Sequence, residues 1–152
     1  MPQVSAGILL YRRKGGELQV FLVHPGGPFW AGKDVAAWSI PKGLIGPDEN
    51  TLDAARREFF EETGFRLDGE AHELGVFRQP SGKRIHVWIQ KGNCNPSRLV
   101  SNRFKMIWPP KSGKTKTFPE VDRGGWFKRQ EAMAKVAKGQ RPIIEALFKK
   151  FG

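Results

Sequence analysis

A mixed α/β fold with α+β character follows from three features of the chain. Runs rich in Val, Ile, Leu and Phe recur at 4–12, 18–24, 72–79 and 83–90, separated by Gly- and Pro-containing turns, as strands require. One stretch with helix signals at both ends, 50–64, falls between the second and third of them. Two shorter helical patterns, 128–138 and 142–150, close the chain, so strands and helices are grouped rather than regularly alternating. At 152 residues and 39% hydrophobic content, the sequence suits one globular domain over residues 1–152, large enough for a real core and without internal repeats.

In chain order, VSAGILLYR and LQVFLVH with KGGE between them predict a hairpin. PGGPFWAGKD, residues 25–34, is a loop carrying Trp30 and Lys33. AAWSIPKG then predicts a short strand that ends or bulges at Pro41, which has no N–H for a ladder. HELGVFRQ and KRIHVWIQ form a second strand pair around PSGK. In the latter, Ile85, Val87 and Ile89 alternate with His86, Trp88 and Gln90, giving one apolar and one mixed face. GNCNPSRLVSN is a loop, RFKMIWPP a strand ended by its prolines, and KSGKTKTFPEVDRGGWF a basic segment. SGKTK is not a phosphate-binding P-loop, since the required upstream glycine is Trp108 and no helix pattern follows at once. Of the closing helices, the first is expected to stop at Gly139, and Pro142 opens the second.

The chemistry concentrates in GLIGPDENTLDAARREFFEETGF, residues 43–65. Asn50 suits an N-cap, Asp53 the positive end of a helix, and Gly64 a left-handed C-terminal residue. At roughly 100° per residue, Glu58 and Glu62 lie about 40° apart and Glu61 about 60° from Glu58. Leu52, Ala55 and Phe59 fall on a core-facing flank, and Arg56 points close to it. Like charges at this spacing repel, whereas a hard divalent cation turns crowded carboxylates into ligands. A solvated acidic face with an Arg57–Glu61 pair is the plainer alternative for three acids taken alone.

The spacing of the whole stretch resembles the signature of the Nudix hydrolases, G-x5-E-x7-R-E-U-x-E-E-x-G-U, where U is bulky and apolar. Gly43, Glu49, Arg57, Glu58, Phe59, Glu61, Glu62, Gly64 and Phe65 meet every fixed position. The resemblance implies a curved mixed β-sheet sandwiched between helices, covering nearly the whole chain. It also implies Mg²⁺ (or Mn²⁺) held by Glu58, Glu61 and Glu62, which thereby become catalytic, with Glu49, Arg57, Gly43 and Gly64 orienting the helix and loop. The Trp-x-x-Pro-Lys-Gly run at 38–43 is similar to that of members acting on diadenosine polyphosphates, which makes Lys42 and Ser39 candidate substrate contacts. Such enzymes often draw one more acid from outside the signature. Glu120 is the candidate for that metal-ligand or general-base role, with Asp122 competing. Trp30 in its loop and His86 beside Trp88 are candidates to line a nucleobase pocket, against the simpler reading of half-buried aromatics.

A net charge of +11 favours polyanionic partners, nucleic acid or a phosphate-rich metabolite. Cys94 is the only cysteine, so internal disulfides are excluded and a reducing, cytoplasmic setting is expected. No apolar run is long enough to cross a bilayer, and the N-terminus lacks a signal-peptide layout. The expected activity is hydrolysis of a phosphoanhydride bond in a nucleoside-polyphosphate-like substrate. Action on RNA 5′ ends and a non-catalytic nucleotide- or nucleic-acid-binding module are the alternatives, and oligomeric state is not legible.

Overall fold

The computed structural model describes residues 4–151. Strands β1 (Val4–Lys14) and β2 (Glu17–Pro25) form the expected hairpin, paired antiparallel from Tyr11–Val20 to Lys14–Glu17. β3 (Lys42–Leu44) joins the other half of β1, and β4 (His72–Arg78) pairs antiparallel with β5 (Arg84–Lys91). β5 runs parallel to β1 from Val4–Arg84 to Tyr11–Lys91, so the sheet is mixed. β6 (Arg103–Ile107) and β7 (Thr115–Pro119) form a separate two-stranded arm. β8 (Val121–Phe127) returns to the main sheet, whose order is β4-β5-β1-β2-β8 with β3 on β1.

Helix α1 (Thr51–Thr63) covers one face of the sheet, while α2 (Arg129–Lys135) and α3 (Arg141–Phe151) cover the other. This explains why β1 and β2 read as unbroken apolar runs. Ala6, Ile8, Leu10, Phe21 and Val23 pack toward Ala54, Ala55 and Phe59 of α1. Leu9, Val20 and Leu22 pack toward Ala132, Ile143, Ile144 and Leu147 of α2 and α3. Both side-chain sets of each strand are therefore removed from water, and alternation disappears.

Four expectations need correction. AAWSIPKG predicts one short strand, but Trp38 and Ser39 make only isolated bridges, to Val136 and Val23, and pairing resumes after Pro41. The segment KSGKTKTFPEVDRGGWF, given no secondary structure from the sequence beyond its basic character, contains β7 and all of β8. In β8, Gly124 stands where a Cβ would collide with the Phe21 ring, so glycine serves packing here although it weakens a strand signal. α2 stops at Lys135 rather than Gly139, because the chain turns extended to place Val136 beside Trp38, with Ala137 N–H donating to the Trp38 carbonyl at 2.8 Å. On α1, Ala54 is buried with Ala55 and Phe59, whereas Leu52 is only half-buried.

Candidate active site

α1 begins and ends as its sequence predicts. The Asn50 side chain accepts from Asp53 N–H at 2.9 Å, and Gly64 takes φ 79°, where a side chain would also strike the Val100 carbonyl. The acidic flank of the helix faces the β3 strand that delivers Lys42 and Gly43. Gly43 is not at a turn: it pairs with Ala6 within β3, and a Cβ there would overlap the Glu58 carboxyl group. Glycine is needed for space, so that Glu58 can lie against the strand backbone.

Arg57 relieves much of the repulsion that the sequence alone leaves unbalanced. Its Nε and Nη2 donate to the two Glu49 oxygens at 2.9 and 3.0 Å, and Nη2 also donates to the Leu44 carbonyl at 2.9 Å. Its Nη1 donates to Glu58 at 2.9 Å and to Glu61 at 3.2 Å. One planar guanidinium thus ties the 44–49 loop to α1 and gathers three carboxylates. The hydrogen bonds from Arg57 hold the Glu49 carboxyl below its usual range, and those carboxylates raise the Arg57 guanidinium further still. Burial pushes Glu58 up, opposed by its hydrogen bond to Arg57 and aided by the neighbouring Glu61 charge.

Glu62 is the acid that Arg57 does not reach. It accepts only the Lys42 backbone N–H, at 3.2 Å, and burial pushes its carboxyl up to about 8 despite the nearby Lys42 ammonium. The charges of Glu58 and Glu120 add to the upward push. A cavity of about 200 Å³ brings Glu62 together with Lys42, Ser39 and Glu120, along with Val23, Pro25 and Val121.

Backbone hydrogen bonds explain how Glu120 reaches this cavity from so far along the chain. Asn102 N–H donates to the Glu61 carbonyl at the end of α1 (2.7 Å), and Glu120 N–H donates to the Asn102 carbonyl (2.9 Å). Gly26 N–H in turn donates to the Glu120 carbonyl at 2.8 Å. Asp122, its competitor, faces elsewhere: its carboxylate is 2.9 Å from Nδ1 of His24. Of the remaining candidates, Ser39 lines the cavity, its hydroxyl accepting from Gln140 Nε2 at 2.9 Å. Trp30 lies outside the cavity lining, 40% exposed in its loop with the Lys33 ammonium 5.2 Å from its ring. His86 is also outside it, stacked on Trp88 at 5.6 Å, while Trp88 donates to Thr51 of α1.

Two buried polar residues near the site carry no sequence signal. His24, fully buried, contacts Asp122 with one ring nitrogen and the Lys33 carbonyl with the other at 2.6 Å, pinning the Trp30 loop to β2 and β8. Gln140 accepts from Ile40 N–H at 3.0 Å and holds Ser39, fastening the approach to Lys42. A lone histidine in LVHP and a glutamine before a helix resemble ordinary strand and turn residues, so only the fold exposes their partners.

Among the described residues no three His, Cys, Asp or Glu side chains already form a metal cage. The donor chemistry nevertheless suits a hard divalent cation: all the donors are carboxylates, and Glu62 is a buried acid whose ionised form lacks a strong counter-charge.

The NUDIX domain model matches residues 1–147. An uncharacterized 17.7 kDa protein of Enterobacteria phage T4, from the e-segB intergenic region, is 35% identical over 125 residues, 80% of each chain. The RNA pyrophosphohydrolase of Bartonella clarridgeiae is 28% identical over 123 residues, covering 75% of this chain and 69% of that protein. In fold, the chain is similar to a Caenorhabditis elegans Ap4A hydrolase in a binary complex, with TM-score 0.67 and 19% identity over 98% and 97% of the two chains. It is equally comparable to the NUDIX domain of Shewanella oneidensis NrtR complexed with ADP ribose, with TM-score 0.70 and 15% identity over 100% and 90%.

Proposed function

The chain belongs to the NUDIX domain family, and from that membership we propose that it is a pyrophosphohydrolase cleaving a phosphoanhydride bond in a nucleoside-polyphosphate-like substrate. The observation that carries this reading is the cavity in which the buried Glu62 carboxyl meets the Lys42 ammonium and Glu120. A site made for a neutral ligand gains nothing from an unpaired buried acid. A site that handles metal-bound phosphate uses both signs of charge.

Glu58 and Glu62, with Glu61 behind them, would hold Mg²⁺ or Mn²⁺, and Glu120 lies across the cavity from Glu62. The cation would supply charge neutralisation on the phosphate oxygens and a more acidic water. Lys42 binds the phosphate chain beyond it. Glu120, exposed at the cavity and not engaged by a cation, takes the proton of the attacking water. Arg57 and Glu49 orient α1 against β3, and Gly43 gives Glu58 its place. Residues 1–152 act as one catalytic domain in the cytoplasm. Among the described residues, no helix is long and apolar enough to cross a membrane.

A second reading, action on the 5′ end of RNA, is favoured by the β6–β7 arm. It carries Arg103, Lys105, Lys111, Lys114 and Lys116 without an acid, and β7 leads directly into Glu120. The test of both readings is a screen of the purified protein with Mg²⁺ against nucleoside triphosphates, dinucleoside polyphosphates, nucleotide sugars and 5′-triphosphorylated RNA. Turnover of a dinucleoside polyphosphate or nucleoside triphosphate supports the first reading. Turnover confined to RNA, with KM rising steeply with salt, selects the second. Turnover of none of them refutes the enzymatic reading.

A further inference from the structure

Two cavities larger than the catalytic cleft lie elsewhere in the molecule. One of about 430 Å³ is lined by Arg12, Arg13, Lys14, Lys91, Gly92 and Asn93. A second, of about 400 Å³, shares Arg12, Lys14 and Asn93 and continues to Cys94, Asn95, Pro96 and Trp126. Together they form one groove at the far end of β1. Gly7 pairs with Lys42, and Arg12 lies five residues further along the strand, roughly 16 Å away at 3.3 Å per residue.

The groove gathers four cations and no acid. Glu17 sits opposite Lys14 in the hairpin register yet forms its ion pair with Lys128, at 3.1 Å. Among the described residues no carboxylate pairs with Arg12, Arg13, Lys14 or Lys91. Arg12 is nevertheless held in place. Its Nε donates to Gln19 at 2.9 Å, its Nη1 to Asn93 at 2.8 Å, and its guanidinium lies 4.1 Å from the Trp126 ring centroid. That ring is itself anchored, its Nε1 donating to the Cys94 carbonyl at 3.0 Å. Both acceptors of Arg12 are neutral amides, so the guanidinium is positioned without being neutralised, and two of its five N–H donors are used. Cations clustered at the ends of neighbouring strands cost the fold stability by mutual repulsion. An anion would reverse that cost.

We propose that this groove is a second, non-catalytic site for a phosphorylated small molecule of nucleotide size. The phosphates lie against Arg12, Lys14 and Lys91, where a fixed guanidinium and two exposed ammonium groups match a multiply charged anion. The neutral end, formed by Cys94, Asn95, Pro96 and the edge of Trp126, receives the ring. A concave site of this volume fits a compact ligand, whereas an extended nucleic acid needs a track of charge. The proposal stands apart from the hydrolytic reading, since none of these residues touches the cleft of Glu62.

Calorimetric titration in chelator with an ATP analogue carrying methylene-bridged phosphates tests it, because binding is then read without metal or hydrolysis. Lys14 and Lys91 are exposed, so K14Q/K91Q preserves the fold, as a melting temperature no lower than that of wild type would verify. Wild type is expected to bind the analogue, K14Q/K91Q to lose affinity about ten-fold or more, and R12K to lose several-fold. The proposal is overturned if K14Q/K91Q binds like wild type, if K42A alone abolishes binding, or if the analogue fails to bind at about 1 mM. A 5′-hydroxyl oligoribonucleotide binding more than about ten-fold tighter than the analogue, and weakened by K14Q/K91Q, would also overturn it by marking a nucleic-acid surface.

Discussion

Replacing Glu62 by Gln should stabilise the metal-free protein, and the gain should grow with pH. The carboxyl is raised from 4.5 to about 8 by burial. Between those values the folded state holds a proton that the unfolded state has released, so stability falls as pH rises through the window and levels off above it. At 1.36 kcal/mol per unit, ionising this group in the fold costs on the order of 3–5 kcal/mol by pH 8.5. Gln keeps the shape and can still accept from the Lys42 N–H, but it never ionises. The melting temperature of E62Q in chelator should therefore exceed that of wild type by about 10 °C at pH 8.5, at 2–4 °C per kcal/mol, and match it near pH 4.5. Saturating Mg²⁺ should close or reverse the gap, since metal binding requires the ionised acid and stabilises only the wild type fully. Thermal melts from pH 4.5 to 8.5, with and without Mg²⁺, read all of this. A difference that is constant across pH would refute the buried-acid account.

Three further outcomes follow from the geometry. Lys42→Ala should reduce kcat/KM about ten-fold on a substrate with four or more phosphates and less on a diphosphate, measured at one ionic strength; equal losses would confine Lys42 to the reacting phosphate. Gly43→Ala should lower kcat by roughly 10²-fold without unfolding the protein, because the added methyl occupies the place of the Glu58 carboxyl; near-normal turnover would show that Glu58 is not needed where it lies. Glu120→Gln should cost on the order of 10²-fold in kcat, whereas Asp122→Asn should act mainly on melting temperature through His24; the reverse ranking would transfer the catalytic role to Asp122.

What the sequence conveyed was local. The cap residues Asn50 and Gly64, the β1–β2 turn and the β4–β5 pair are each decided by a few neighbouring residues, and each forms as read. β8 escaped because its two glycines answer to the Phe21 and Phe127 rings, which lie in space and not in the strand's own pattern. The same division runs through the site. The signature showed which acids crowd one flank of α1, but not that Arg57 engages Glu49, Glu58 and Glu61 and leaves Glu62 alone. Nor could composition separate Glu120 from Asp122; the Asn102 bridge and the buried His24 make that distinction.

The metal-dependent role of Glu62 is tested most directly by hydrolysis of the best substrate from the screen, followed as formation of the nucleotide product with wild type and E62Q across a Mg²⁺ titration. Wild-type turnover should vanish in chelator, and E62Q should lose about 10²-fold or more at saturating metal while remaining folded. Undiminished turnover in excess chelator, or by E62Q, would contradict it.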